Sequence, residues 1–380
     1  MSFSQANSRE LFEKCKINDS KSCLILLEQV KEKRIDVNAK YDEGISCLFL
    51  SAYYGNIEVF KALIGAGANI NIEEKSGITP FLVSCDQGKV AIVEYIISST
   101  LMNLIERSTI LNGFIAACKN GHPQIIRRLI EKGLDVNTLL DEQGATALYI
   151  ACENQREDLI ILLLHLGADP NLPRAKYYPI HLAAQFGDLN TIERLLKAKA
   201  KINVQTPDGA TSLLIAAQIG NVLAVDLLLK YNADPNIQMA TDGSFPVYVS
   251  CSRHHNNSSM ALLECAKTNV NLSLNDGTTI LHILSQFGNI KLINIIFEYH
   301  PDVNVNATAK TGATPLHYAA RHGQYEICNL LIQNGANINM LCDGDTPLSV
   351  ASRYGRTDTI NVLKLAHERL ENHNLKKEDS

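Results

Sequence analysis

The segment Gly312-Ala-Thr-Pro-Leu-His-Tyr-Ala-Ala-Arg-His-Gly323 constrains the fold more than any other part of this chain. It continues into Cys328-Asn-Leu-Leu-Ile-Gln-Asn-Gly-Ala-Asn-Ile-Asn339, and worn copies recur from about Gly44 to about Ser352. Turn glycines mark the copies at Gly44, Gly77, Gly144, Gly209, Gly243, Gly277, Gly312 and Gly344, with Ile110 and Lys176 standing at two further expected places. The step is 32 to 35 residues throughout. A piece that short cannot bury its own apolar face, so copies must stack on one another into an array.

One copy can be read residue by residue. Thr314 suits a helix N-cap, and Pro315 suits the first helical position, where its missing N–H costs nothing. Leu316, Ala319 and Ala320 follow at helical spacing, and Gly323 ends that helix in the left-handed conformation. A second helix carries Ile327, Leu330 and Leu331 on one face and stops at Gly335. The remainder leads out as a loop or hairpin toward the next turn glycine. The spacing predicts an all-α solenoid of about ten helix-turn-helix repeats with protruding hairpin loops, here called fingers. Its bounds are a divergent N-terminal repeat or cap over residues 1–40, the array over 41–370, and a polar, frayed tail over 371–380.

These residues resemble the ankyrin repeat. Thr-Pro-Leu-His-x-Ala-Ala is intact at 314–320 and nearly so at Thr346-Pro-Leu-Ser, Thr79-Pro-Phe-Leu and Tyr178-Pro-Ile-His181. The endings Gly-Ala-Asn-Ile-Asn71, Gly-Leu-Asp-Val-Asn137 and Gly-Ala-Asp-Pro-Asn171 fit the same pattern. The resemblance implies that His181, His282 and His317, at the fourth position of the phrase, bond backbone near the finger instead of acting as catalysts. It also implies recognition of a protein partner on a concave face made by the fingers and the exposed ends of the first helices.

Composition narrows function further. Net charge is −5 with a pI near 6.1, which argues against bulk capture of nucleic acid. No run of 18 apolar residues is present, so no membrane span is expected. Met1 to Glu10 lacks the apolar core of a secretory signal, so a cytoplasmic address is expected. The chain has ten cysteines. Cys85, Cys118, Cys152 and Cys251 all fall at the second small position of the Ala-Ala pair, which reads as a small buried hydrophobe, reduced and unpaired. Cys251, His254, His255 and Cys265 are metal-ligand types, but the first is assigned to the core, so no metal or cofactor is expected. No phosphate loop, nucleophile elbow or paired-carboxylate motif occurs, and nearly every residue already has a repeat role.

The leading reading is a non-enzymatic, monomeric scaffold for a protein partner. The alternative keeps the array and changes its address. The Asn-, Ile- and Lys-rich composition loosely resembles effectors that intracellular bacteria secrete into a host cell, which would add host targets and an unrecognised catalytic activity. For the binding face, the register just before each inter-helix glycine reads Tyr54, Gln87, Asn120, Asn154, Phe186, Ile219, Arg253 or His254, Phe287, His322 and Tyr354. Tyr53 and Arg321 precede it by one. Exposed positions there should be polar, so Phe186, Ile219 and Phe287 form an apolar stripe of the kind that marks a binding site. The candidate residues are Tyr53, Tyr54, Phe186, Ile219, Arg253, Phe287, Arg321, His322 and Tyr354.

Four repeats depart from the pattern, the ninth by a lengthened finger, Asn304-Val-Asn-Ala-Thr-Ala-Lys-Thr-Gly312. The third lacks its turn glycine and Thr-Pro, and the second ends in Ser98-Ser-Thr-Leu-Met-Asn103, so both are expected to be weak. The seventh replaces its inter-helix glycine with Arg253-His-His-Asn-Asn-Ser258, read as gaining a residue.

Overall fold

A computed structural model describes residues 3–378. Apart from the short helix Val30–Lys33, its 23 α-helices form eleven consecutive antiparallel-type pairs joined by tight turns. The first pair, Phe3–Lys16 and Ser20–Glu28, holds the divergent N-terminal segment. The fingers are hairpin-like. Lys40–Tyr41 pairs antiparallel with Ile45–Ser46, and single bridges link Arg174 with Tyr177, Ser273 with Thr279 and Cys342 with Asp345. The contacts divide the chain into two compact units, residues 1–179 and 180–380.

Several first helices start for the reason the sequence suggests. The Thr79, Thr146, Thr211 and Thr346 side chains accept from the amide three residues on, satisfying a donor the helix cannot. The core of the N-terminal unit is built from Leu48, Phe60, Phe81, Ile92, Phe114 and Ile125, all fully buried. That of the C-terminal unit is built from Leu214, Val225, Phe245, Ile280, Leu292 and Leu316. Cys85, Cys118, Cys152 and Cys251 are buried beside them, as alanine substitutes would be. Burial pushes the Cys251 thiol up to about 12.

Two hydrogen-bond ladders tie neighbouring repeats together within each unit. The first uses the asparagine that ends the terminal phrase. Asn236 Nδ2 donates to Lys267 O at 2.8 Å while its Oδ1 accepts from Asn269 N at 2.7 Å, and Asn306 does the same with Gly335 O and Asn337 N. The second ladder uses the residue after the inter-helix turn, which reaches back to a carbonyl near the end of the preceding first helix. His122 bonds Asp86 O, Arg156 bonds Lys119 O, His255 bonds Gln218 O, and Arg356 bonds Arg321 O. Each such bond contributes about 0.5–1.5 kcal/mol.

That second ladder explains why the turn glycine matters beyond its dihedral. Gly220 has φ +75°, and a Cβ there would lie 2.5 Å from His255 Nδ1. Gly355 plays the same part in the last repeat at φ +65°, with nothing within 4 Å. Gly220→Ala should therefore cost about 2 kcal/mol, from backbone strain plus the displaced His255 bond. Gly355→Ala should cost about 1 kcal/mol, from strain alone. Equal losses in urea titrations of the two variants would sink this account.

The departures resolve in different ways. Lys176 does stand where a turn glycine is expected, at φ +66°, beside Ala175 at +48° in a two-residue hairpin. Ile110, by contrast, is not at a turn. The third repeat has replaced its finger with a 3-10 turn, Thr100–Leu104, and a long first helix, Arg107–Asn120. This helix seats Gly113 so closely on its neighbour that a Cβ would lie 2.8 Å from the Phe81 ring. The helix core is thus well held, and weakness is confined to the turn before it, where Leu104 is exposed and Glu106 supplies no side-chain cap. Amides of 100–106 should exchange faster than those of Pro315–His322 in hydrogen-exchange mass spectrometry, and equal protection would contradict this.

The seventh repeat gains no residue. His254 takes the glycine's place outright, at φ +60°, and Arg253 sits at the helix end with φ −98° and ψ 6°, as Tyr354 does at −94° and 5°. The polar tail is helical through Glu378, as the end of Thr357–Glu378. Residues 379–380 lie outside the described residues.

Candidate functional site

The register before each inter-helix turn is the end of a first helix, so its side chain leaves the repeat at the same point each time. In the C-terminal unit Phe186 ends Pro179–Phe186, Ile219 ends Ser212–Ile219, Phe287 ends Ile280–Phe287 and His322 ends Pro315–His322. Phe186 is 43% exposed, Ile219 44%, Phe287 37% and Tyr354 44%, whereas the alanine pairs one turn earlier are buried. The helix end is polar backbone and needs no ring to cover it.

The exposed side chains are not all equally free. The rings of His254 and Phe287 lie 4.4 Å apart, tilted by 53°. The left-handed His254 therefore supports Phe287 from the preceding repeat, a contact that the glycine it replaces could not make. Arg321 places its guanidinium 5.1 Å from the Tyr354 ring centroid, a cation–π contact across neighbouring repeats. Phe186 and Ile219 have no such ring neighbour among the described contacts.

Below this register the first helices and fingers of the last three repeats enclose a recess of about 520 Å³. Gln286, Tyr318, Arg321, His322, Val350, Arg353 and Tyr354 come from the helices, and Thr311, Ala313, Cys342, Asp343 and Asp345 from the fingers. Of the nine candidates, Arg321, His322 and Tyr354 line it directly. Phe186, Ile219, Arg253 and Phe287 lie in earlier repeats of the same unit. Tyr53 and Tyr54 belong to the N-terminal unit, edge to face at 5.2 Å, and the Tyr54 hydroxyl donates to Lys16 O.

The phrase histidines are buried and committed to backbone. Thr279 N donates to His282 Nδ1 at 3.1 Å, so the proton sits on Nε2, which donates to Ala313 O of the next finger at 3.0 Å. His317 repeats this with Thr314 N and Asp345 O, and His181 Nε2 meets Val204 O. Each pins a first helix to the following finger. This pinning holds the walls of the recess in place. Burial holds all three imidazoles below their ordinary range. Among the described residues no three His, Cys, Asp or Glu side chains stand where they could share a metal ion. Cys251 is buried, His254 stacks on Phe287, and His255 bonds Gln218 O.

The repeating cap, turn, pinning histidine and terminal asparagine match a known pattern. A family model for ankyrin repeats, in three copies, matches residues 11–104, 103–174, 180–264, 224–307 and 281–376. This chain belongs to the ankyrin-repeat family. Ankyrin repeats generally bind proteins. "Ankyrin repeat and SOCS box protein 11" of Danio rerio is 36% identical over 85 residues, covering 22% of this chain and 29% of that protein. "Ankyrin repeat and SOCS box protein 5" of Mus musculus is 38% identical over 82 residues, or 21% and 24% of the two chains. This chain thus spans less than a third of the length of either relative. The crystal structure of the human ASB11 ankyrin repeat domain superposes with a TM-score of 0.50 at 24% identity, covering 59% of this chain and 98% of that one. That likeness concerns the fold. No helix among the described residues is long and apolar enough to cross a membrane.

The ankyrin pattern pointed to the exposed register but not to its cross-repeat partners. Sequence reasoning missed the support of Phe287 by His254 and the reach-back ladder. A signal for the second was present, since His122, Arg156, His255, Gln324 and Arg356 all follow the turn position with long polar side chains.

Proposed function

We propose that this chain is a non-enzymatic scaffold that binds a protein partner through the first-helix ends of residues 180–380. The observation that carries the reading is the exposure of Phe186, Ile219, Phe287 and Tyr354 at one register. Apolar side chains in such positions lose water when a partner covers them, worth about 25 cal/mol per Å² of apolar area. The walls are preformed by pinned helices, so little ordering entropy is spent on binding. Arg253, Arg321 and His322 at the same end of the repeats add polar contacts, and arginine is a common interface anchor.

The test is the position dependence of photo-crosslinking. A benzophenone side chain at Ile219 should trap a partner from the native cell extract. The same group at Tyr299, also exposed but on a second helix, should not. Adducts from Tyr299 with none from Ile219 would move the site to the other face.

A further inference from the structure

The recess of the last three repeats carries a charge arrangement that the exposed stripe does not use. Asp345 is already satisfied. Its carboxylate is paired with Arg353 and accepts from Ser349 Oγ at 3.0 Å. Arg321 is different. Its guanidinium rests on the Tyr354 ring, and no described carboxylate lies within ion-pair distance of it. Arg356 donates its Nε to the Arg321 carbonyl at 3.1 Å and is likewise without a carboxylate among the described residues. Arg321 lines the recess and Arg356 meets it at its carbonyl, so two uncompensated cations stand together in a chain whose net charge is −5. Their effect is felt nearby. His322 is held below the ordinary imidazole range by burial first and then by the charges of Arg321 and Arg356. One acid lining the recess, Asp343, opposes them from the tip of its finger.

A guanidinium lying on an aromatic ring keeps its flat edge free. That edge offers parallel N–H donors in the spacing of a carboxylate's two oxygens. Tyr354 limits the rotamers of Arg321 before any ligand arrives, so less side-chain freedom is lost on binding. Tyr318 and Val350 supply apolar wall that would exclude water from the contact and strengthen it.

We propose that this recess receives an aspartate or glutamate side chain of the partner polypeptide, clasped by Arg321, and that the partner's recognition segment is acidic. The proposal rests on the reading that this face binds protein, and it names the partner's chemistry.

The experiment selects random peptides on the immobilised full chain and then measures synthetic peptides of the selected sequences by fluorescence anisotropy. Selected sequences should share an acidic residue at one position. Replacing it by its amide should weaken binding at least tenfold to the parent and by less than twofold to Arg321→Gln. Arg321→Lys, which keeps the charge and loses the fork, should recover only part of the preference. Thermal melts of both variants report whether the fold is retained, and Arg321→Lys keeps the comparison open if Arg321→Gln is unstable. An amide that binds the parent as well as the acid overturns the proposal, as does an acid preference that survives Arg321→Gln. A phosphoserine peptide that outcompetes the carboxylate overturns the carboxylate assignment. Peptides that depend on Phe186 and Phe287 but ignore the acid would sink this inference alone. If no selected peptide responds to any substitution on the face, the binding reading falls with it.

Discussion

Partner capture should be lost when Phe186→Ala and Phe287→Ala are combined, with only a small loss of fold stability. Truncating a true aromatic anchor costs about 2 kcal/mol or more, and two anchors in separate repeats act almost independently. The joint loss should therefore exceed about 4 kcal/mol, roughly a thousandfold in affinity. The fold should suffer little, because both rings are more than a third exposed. Their contributions are nonetheless unequal. Phe287 forfeits its contact with His254, an aromatic pair of the kind worth about 0.5–1.5 kcal/mol. Phe186→Ala alone should leave the melt unchanged, while Phe287→Ala should lower it slightly. Isothermal titration against the captured partner and denaturant unfolding of the same variants separate the two effects. A large early melt for Phe186→Ala would show that the ring packs within the fold and that the stripe is not a recognition surface.

The C-terminal unit should lose stability as pH falls below about 6.5. The three phrase histidines titrate from an ordinary value of 6.5, and the fold lowers all three. The cause is burial, which disfavours the charged imidazolium, and the geometry at His282 and His317 acts the same way. A proton added at Nδ1 would face the Thr279 or Thr314 amide N–H, donor against donor, in a buried site. Below 6.5 the unfolded chain takes up protons that the folded chain refuses. Stability is thus fully present above that pH, falls as pH drops through it, and levels off once the folded-state values are reached. The slope is at most about 1.4 kcal/mol per pH unit for each histidine. Asp242 is held below its ordinary 3.8 by the Ser244 hydroxyl and stays ionised in this window. Urea unfolding at pH 7.5, 6.5 and 5.5, followed by imidazole titration in NMR, checks both halves of the argument. A flat stability profile across that range would refute it.

The repeat period, the helix starts and the buried register were legible in the sequence because they depend on neighbours in the chain. Thr314 caps its helix whatever stands beside it, Gly323 ends that helix through its own dihedral freedom, and the Ala-Ala or Ala-Cys pair announces close packing. The exposed register of Phe186, Ile219 and Phe287 followed from the resemblance to ankyrin repeats. Contacts between side chains about one repeat apart were not legible, because no local pattern states which rotamers will meet. That is why only the tertiary structure put His254 in the glycine's place against Phe287, laid Arg321 on Tyr354, and replaced the third repeat's finger with a 3-10 turn and a long first helix seated on Phe81. Sequence determined the repeating element and the side chains it would expose. Stacking decided which of them are already engaged by a neighbour and which stand uncompensated, since that depends on distances set only when one repeat is packed on the next.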